Sequence, residues 1–298
     1  MKNFISSLET FKTLKEYENY LRAKNMASST INDYLAAGEK FNKFIIKSSL
    51  NIGKLGISSV EAYLAKYRTS DLANNTYAKY VICIKLYLRF LYERNYIGND
   101  LDSKIRHIKK IQSAEREVLK PDERIKIETY INSYKDSGIA KIRDLFIFYL
   151  LIDCGLRRNE VINLRHENVK TDSEGFHYIM ILNSKGNKNR KVYINDNIFN
   201  FISLYRKKTG VYKAALIRGD FGRRITKGSL QNLWVKIKTG SKVNKNLTIH
   251  SLRHTYAERL RHNGTDFATI SKLLGHSRLD TTMNYFHVND DDLRQAIL

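Results

Sequence analysis

The sequence predicts a mainly α-helical protein with a small antiparallel β-sheet, in which an N-terminal helical bundle precedes a mixed α+β domain. Apolar residues recur at helical spacing through the N-terminal third, and no alternating pattern interrupts them. Two short stretches, residues 176–182 and 190–194, flank a polar turn, which is typical of a β-hairpin. A chain of 298 residues is long enough for two domains that each bury a core.

The N-terminal bundle is expected to contain about four helices, with polar residues such as Ser28 and Ser58 as caps. The predicted helices cover residues 10–24, 28–45, 58–67 and 74–96. On the longest of them, Lys79, Lys85 and Arg89 fall between the apolar positions. Cations interleaved with tyrosine and asparagine suit helices that lie against phosphates. An ordinary amphipathic bundle with a lysine-rich exterior explains the pattern equally well.

A linker is expected between the two domains. Residues 103–117 are basic and polar with little apolar face, and the only proline, Pro121, suits the first turn of the next helix. The predicted ranges are 1–110 for the helical domain and 118–298 for the second domain, which ends in a tail over residues 287–298. A basic linker could follow a DNA backbone, and a plain hinge would have the same composition.

The second domain is expected to combine helices with one hairpin. Its predicted helices begin at Pro121 and then cover residues 141–153, 161–164, 196–208, 226–238, 250–263, 266–274 and 279–286. Gly155 is expected to end the apolar helix 141–153 in a left-handed C-cap. The hairpin turn at residues 184–189 places Lys185 at its tip.

The charge balance indicates a polyanionic partner. Lys plus Arg number 52 against 30 acidic residues, which gives a formal net charge of +22 and a pI near 9.8. Such an excess is typical of chains that bind nucleic acid, although a lysine-rich composition with solvated faces also produces it. Cys83 and Cys154 lie in apolar runs and are expected to be buried thiols. Without a membrane-length apolar run or a signal peptide, the chain is expected in the cytoplasm.

The C-terminal fifty residues contain side chains that suit cleavage of a phosphodiester. Its transition state needs positioned cations, and an arginine such as Arg253 donates two hydrogen bonds while it stays charged. His250 lies three residues earlier and is expected on the same face of a helix. Tyr285 has an ordinary pKa of about 10, so it must lose its proton to act as a nucleophile. Neither a cofactor nor a metal is required, and the lack of an obvious acidic cluster disfavours a two-metal nuclease.

Taken in order, these motifs resemble those of the tyrosine recombinases, or phage-integrase family, and especially its compact Xer-like members. Residues 154–160 (Cys-Gly-Leu-Arg-Arg-Asn-Glu) resemble the box around the first catalytic arginine. Residues 250–254 (His-Ser-Leu-Arg-His) are similar to the H-x-L-R-H box. Residues 184–188 resemble the hairpin lysine segment, residues 273–277 the L-L-G-H box, and residues 281–285 the segment that carries the nucleophile.

The resemblance implies a role for each matched side chain. The implied catalytic residues are Arg157, Lys185 as general acid, His250 as acid or base, Arg253, His276 as a phosphate hydrogen-bond donor and Tyr285 as nucleophile, with Glu160 in support. The N-terminal bundle resembles the family's core-binding domain by pattern and position only. The family's active site needs no cofactor and no metal, and no catalytic position departs from its pattern.

The implied reaction is site-specific recombination of double-stranded DNA. Tyr285 would form a 3′-phosphotyrosine and release a 5′-hydroxyl, and strand exchange would pass through a Holliday junction. The implied assembly is a homotetramer, or two related recombinases, on an inverted-repeat site, with an accessory protein left open. Chromosome-dimer resolution, integration or excision of a mobile element and cointegrate resolution all remain open. A type IB topoisomerase and a non-cleaving DNA-binding regulator are the alternatives.

Overall fold

The structure, a computed structural model, describes residues 7–68, 74–108, 117–134, 138–184, 188–210, 213–219 and 222–275. The chain divides into two compact units, Met1–Ala114 and Glu115–Leu298. The predicted fold class is confirmed, since helices dominate both units and a three-stranded antiparallel sheet lies in the second. Residues 109–116 of the predicted linker lie outside the described part of the chain.

The N-terminal unit is helical throughout its described elements. Its helices are α1 (Ser7–Ala23), α2 (Ser28–Lys47), α3 (Ile57–Arg68) and α4 (Asn74–Glu93), with a short 3-10 turn at Ile52–Lys54. The N-cap of α2 is Ala27 rather than the serine that follows it. Aromatic rings fill the core, where the Tyr17 ring lies 4.8 Å from Tyr87 and 5.0 Å from Phe90 between centroids. Burial of such rings stabilises the bundle.

The three basic residues that the sequence places on α4 bind partners inside this unit. Lys79 Nζ lies 2.6 Å from Asp33 Oδ2, and Lys85 Nζ donates to the carbonyl of Ile105 at 2.7 Å. Arg89 donates through Nε and Nη2 to one oxygen of the buried Asp102, at 2.9 and 2.6 Å. In the DNA-free protein, therefore, these three cations of α4 are already paired with acceptors of the same unit and are not free to bind phosphates.

In the second unit the apolar helix α6 packs against helices α5, α7, α8 and α10, and the same unit contains one small sheet. Its helices are α5 (Pro121–Asn132), α6 (Ile139–Ile152), α7 (Arg158–Asn163), α8 (Asp196–Thr209), α9 (Lys227–Gly240), α10 (Ile249–His262) and α11 (Phe267–Leu274). Its strands are β1 (Val169–Thr171), β2 (His177–Ser184) and β3 (Lys188–Tyr193), paired antiparallel in that order. Pro121 is the first residue of α5, as predicted, and its fixed φ suits that position.

Two details of this unit differ from the predictions. The strand β1 is only three residues long and largely exposed, so no alternating pattern marked it. Helix α6 ends at Ile152 with Asp153 as its C-cap, and Gly155 lies two residues beyond with φ +61°. Gly155 therefore forms the left-handed turn that leads to α7 rather than the cap itself. A Cβ at this position would overlap the ring of Tyr256.

Both cysteines are buried free thiols, as predicted. Burial raises the pKa of Cys83 to about 11 and raises that of Cys154 further above its ordinary range. Within the described residues, no helix is both long enough and apolar enough to cross a bilayer.

Candidate active site

The site is built around the first turn of α7. Arg157 precedes the helix, and Glu160 returns to the helix start, where one carboxylate oxygen accepts from the Arg157 amide at 2.8 Å. This carboxylate satisfies an amide that a helix start leaves without an intrahelical partner. The other oxygen of Glu160 accepts from Arg157 Nη1 at 2.9 Å. The pair that the resemblance implies is thus held together by the capping of one short helix.

Glu160 is shared among arginines from three elements. Arg190 of β3 donates to both carboxylate oxygens, through Nη1 at 2.7 Å and Nη2 at 2.9 Å. Arg253 of α10 places Nη1 at 4.0 Å from the carboxylate. Burial would raise the pKa of Glu160, but the hydrogen bonds and charges of Arg190 and then Arg157 lower it to about 2. Glu160 is therefore an anion at every physiological pH and acts as a support for the cations.

The end of α11 lies against the same arginines. Three successive carbonyls there accept from three different guanidinium groups. Arg190 Nε donates to Leu273 at 3.1 Å, Arg253 Nη2 donates to Leu274, and Arg157 Nη2 donates to Gly275 at 2.9 Å. The last carbonyls of a helix lack intrahelical partners and carry the negative end of its dipole, so cations suit this position. Gly275 ends the helix with φ +63°.

The two predicted catalytic residues of α10 differ in exposure. The Arg253 side chain is 1% exposed and also donates to the carbonyl of Gly155 at 2.6 Å. His250, in the first turn, is exposed, and its ring lies 4.7 Å from that of His254 in an edge-on arrangement. The helix begins at the N-cap Thr248, whose hydroxyl accepts from the amide of Ser251. His250 is therefore accessible to a substrate, whereas Arg253 is buried and held by hydrogen bonds to backbone carbonyls.

Three predicted site residues, Lys185, His276 and Tyr285, lie outside the described residues, and their roles stay predictions. The chain on either side of Lys185 is described, because Ser184 of β2 pairs with Lys188 of β3 across the hairpin. Gly275 immediately precedes His276 and belongs to the arginine-bound end of α11. The structure thus brings together Arg157, Glu160 and Arg253 and fixes the chain that leads to two of the remaining residues.

Sequence reasoning missed Arg190, which it took only as the start of a strand. The signal was available in the alternation of the predicted strand 190–194, where Arg190, Val192 and Ile194 fall on one face. Val192 and Ile194 are buried, and the Arg190 side chain is 9% exposed. An arginine at an inward strand position needs a buried acceptor, and here that acceptor is Glu160.

Comparisons with known proteins identify the family of the chain. The model of the phage integrase family matches residues 117–292, and that of the phage integrase N-terminal SAM-like domain matches residues 14–95. The tyrosine recombinase XerC of Caldanaerobacter subterraneus subsp. tengcongensis is 28% identical over 99% of this chain and 88% of its own length. The tyrosine recombinase XerA of Thermococcus onnurineus is 29% identical over 95% of this chain and 93% of its own.

Solved structures share the fold. XerH recombinase bound to a palindromic difH substrate aligns with a TM-score of 0.74 at 22% identity, covering 98% of this chain and 84% of that one. A lambda integrase dimer bound to a COC′ core site aligns with a TM-score of 0.71 at 16% identity, covering 94% and 96%. At these identities the likeness establishes the fold alone.

Proposed function

Since the chain belongs to the phage integrase family and is a tyrosine-type site-specific DNA recombinase, we propose that Tyr285 is the nucleophile that cleaves its DNA. The observation that carries this assignment is the convergence of Arg157 and Arg253 on one carboxylate and on the end of α11. Two guanidinium groups held on one support can bind the two non-bridging oxygens of a phosphate and stabilise the charge of the transition state.

Each step of the proposed reaction has a residue to perform it. Tyr285 Oη attacks the phosphorus, the bond to the 5′ oxygen breaks, and a 3′-phosphotyrosine forms. Lys185 gives a proton to the leaving 5′ oxygen, and the exposed His250 accepts or returns the proton of the tyrosine. His276 donates a hydrogen bond to the phosphate. A 5′-hydroxyl from the partner strand reverses the chemistry, so the bond energy is conserved through a Holliday junction.

The proposed substrate is an inverted-repeat recombination site in double-stranded DNA, bound in the cytoplasm. Chromosome-dimer resolution and the integration or excision of a mobile element both fit this chemistry. The proposed assembly on that DNA is a homotetramer, or a mixture with a related recombinase. An accessory protein that directs the reaction is compatible with either.

The tail offers a means of assembly. Residues 290–292 are three aspartates, and Leu293 and Ile297 follow them at helical spacing. A cleft of about 810 Å³ on the second unit is lined by apolar side chains of α8, and its arginines, Arg124 and Arg259, form ion pairs with Glu128 and Asp153 in the same cleft. The apolar side chains of this cleft are suited to receive Leu293 and Ile297 from the tail of a neighbouring subunit. Deletion of residues 290–298 is expected to abolish formation of the synaptic complex in a gel-shift assay, and normal synapsis and recombination would contradict this docking.

A covalent trap tests the proposed nucleophile and finds the site. Wild-type protein and Tyr285→Phe are incubated with sheared genomic DNA of the source organism, denatured in SDS, and the protein-linked fragments are sequenced. Wild type is expected to enrich one inverted-repeat site, and Tyr285→Phe to bind DNA but yield no adduct. Adducts without site preference would favour a topoisomerase. A persistent absence of adducts on supplied candidate sites, despite good binding, would contradict the proposal.

A further inference from the structure

Arg190 uses its guanidinium group entirely within the protein. Nη1 and Nη2 donate to the two oxygens of Glu160 at 2.7 and 2.9 Å, and Nε donates to the carbonyl of Leu273 at 3.1 Å. The side chain is 9% exposed. Because Nε, Nη1 and Nη2 all donate to protein acceptors, we expect Arg190 to affect the reaction through the groups that it holds rather than by binding a DNA phosphate.

Arg190 and the two groups that it holds belong to three elements, and each element leads to a proposed catalytic side chain. Glu160 holds Arg157 at the start of α7, and the Leu273 carbonyl lies at the end of α11, just before His276. Arg190 itself lies on β3, five residues after Lys185, and pairs with Ile181 of β2. One side chain thus connects the hairpin, the arginine box and the turn that precedes the histidine.

The side chain of Arg190 is also tightly packed against the turn at Gly275. A Cβ added at Gly275 would lie 2.8 Å from Arg190 Cδ, so the turn lies directly on the arginine stem. This geometry requires the planar guanidinium group of an arginine. Its two Nη atoms donate parallel hydrogen bonds to one carboxylate, while Nε donates to a backbone carbonyl. A lysine ammonium is a single point on a flexible stem and cannot occupy all three positions at once.

We propose that Arg190 is a positioning residue for strand cleavage, which keeps the lysine hairpin in register with Arg157 and with the end of α11. This inference rests on the proposed function, because it assumes that Arg157, Lys185 and His276 act on the scissile phosphate. Misplacing reacting groups by about 1 Å can slow a reaction by roughly 10²-fold without loss of substrate binding.

The first test separates binding from cleavage. Arg190→Lys and Arg190→Gln are compared with Lys191→Ala, which removes the next cation on β3, one whose ammonium lies over the Tyr178 ring at 4.6 Å. Single-turnover cleavage and DNA affinity are measured on the site recovered by the covalent trap. Both Arg190 variants are expected to cleave about 10²-fold more slowly with affinity within about threefold of wild type. Lys191→Ala should match wild type.

The charge-conserving variant decides whether geometry or charge matters. Wild-type cleavage by Arg190→Lys would overturn the proposal, because it would show that a positive charge alone suffices. Equal loss of binding and cleavage would also overturn it, since Arg190 would then act on DNA affinity. Failure of the proposed nucleophile would be recognised separately, because the wild-type protein itself would then form no Tyr285-dependent covalent adduct.

The pH profile adds a readout that a general loss of folding would not change. Arg190 is the largest favourable influence on the pKa of Glu160, which Arg157 from α7 also lowers and which Arg253 from α10 faces at 4.0 Å. In Arg190→Gln, burial then raises the pKa of Glu160. The ratio of variant to wild-type cleavage should fall as the pH is lowered, and a constant ratio would contradict the coupling.

A DNA-independent measurement keeps the inference testable even if no cleavable site is recovered. Hydrogen–deuterium exchange is followed in α11 and β3 of the DNA-free protein. Faster exchange at both elements in Arg190→Lys, with no change in Lys191→Ala, is expected. Exchange unchanged in Arg190→Lys would overturn the claim that the fork joins the two elements.

Discussion

Two carboxylates, one in each compact unit, are equally buried but are held in different ways. The Glu160 side chain is 7% exposed and the Asp102 side chain is 5% exposed. Glu160 accepts from Arg157, Arg190 and a backbone amide, and both guanidinium groups are largely enclosed. Asp102 accepts from Arg89, which is 54% exposed.

The difference appears in their pKa values. Burial and a neighbouring carboxyl, Asp100, raise the pKa of Asp102, and Arg89 opposes this only in part. Burial also acts on Glu160, but two arginines lower its pKa to about 2. Burial penalises the charged form in both cases, and the number and enclosure of the donors decide the direction in which each pKa is shifted. The second unit thus keeps Glu160 as a buried anion that supports its arginines, whereas the ion pair of Asp102 with Arg89 in the N-terminal unit is partly solvated.

The largest expected effect is on Glu160→Ala. Removing the acceptor leaves buried guanidinium groups unpaired, and breaking a buried pair costs about 3–5 kcal/mol of unfolding free energy. Urea unfolding, followed by the fluorescence of Trp234, reports on the second unit, because this only tryptophan is buried there. The matched control is Glu167→Ala, whose side chain is 64% exposed beside Arg165. It should cost less than about 1 kcal/mol, and equal costs would remove the distinction.

The acid dependence of stability should differ between the units. The folded pKa of Glu160 lies below its unfolded value of about 4.3, so its contribution is present above that pH and is lost as the pH falls toward about 2. The loss is about 3 kcal/mol. The pKa of Asp102 is raised, so its contribution is present below an unfolded pKa of about 3.9 and is lost as the pH rises through the folded value.

Urea unfolding at stepped pH, compared between wild type and Glu160→Gln, isolates the contribution of Glu160. The difference in stability between them should shrink between about pH 4.3 and pH 2. Hydrogen exchange of α4 amides follows the N-terminal unit over the same range. A difference that stays constant with pH would show that the Glu160 carboxylate is not stabilised by its arginines.

A smaller effect is expected from the backbone that supports the arginines. In Gly155→Ala, an alanine must adopt a left-handed φ, and its Cβ must displace the Tyr256 ring. The carbonyl of the same residue accepts a hydrogen bond from Arg253. Its cost is about 2–3 kcal/mol, against about 1 kcal/mol for the control Gly210→Ala. Gly210 has φ +65° and open space around it. Thermal unfolding of the two variants measures the difference, and similar shifts would mean that Tyr256 yields without cost.

The helices of both units could be predicted because apolar spacing and polar caps are local signals. Helix α4, for example, covers Asn74–Glu93, within the predicted range 74–96. The short strand β1 was missed, since its pairing with β2 is set by a partner rather than by its own three residues. The cap of α2 was also misplaced, because Ala27 adopts the extended conformation that the serine was expected to take.

Three members of the candidate site could be predicted from their motifs, but the network that joins them could not. The motifs named Arg157, Glu160 and Arg253, and the structure brings these three together. Nothing local indicated that Arg190 would bind the same carboxylate, since its partners lie far along the chain on α7 and α11. The convergence on three successive carbonyls depends on tertiary packing, for which the sequence carries no local signal.

The smallest effect is expected at an exposed ion pair of the N-terminal unit, Lys79 with Asp33. Lys79 and its partner Asp33 are 62% and 53% exposed, so Lys79→Ala should change the unfolding free energy by less than about 1 kcal/mol. Because Asp33 already neutralises Lys79, the salt dependence of DNA affinity should also stay unchanged. Filter binding at stepped salt concentrations measures it. A slope reduced by about one charge would show that Lys79 leaves Asp33 for a phosphate, and that the cations of α4 form part of the DNA-binding surface after all.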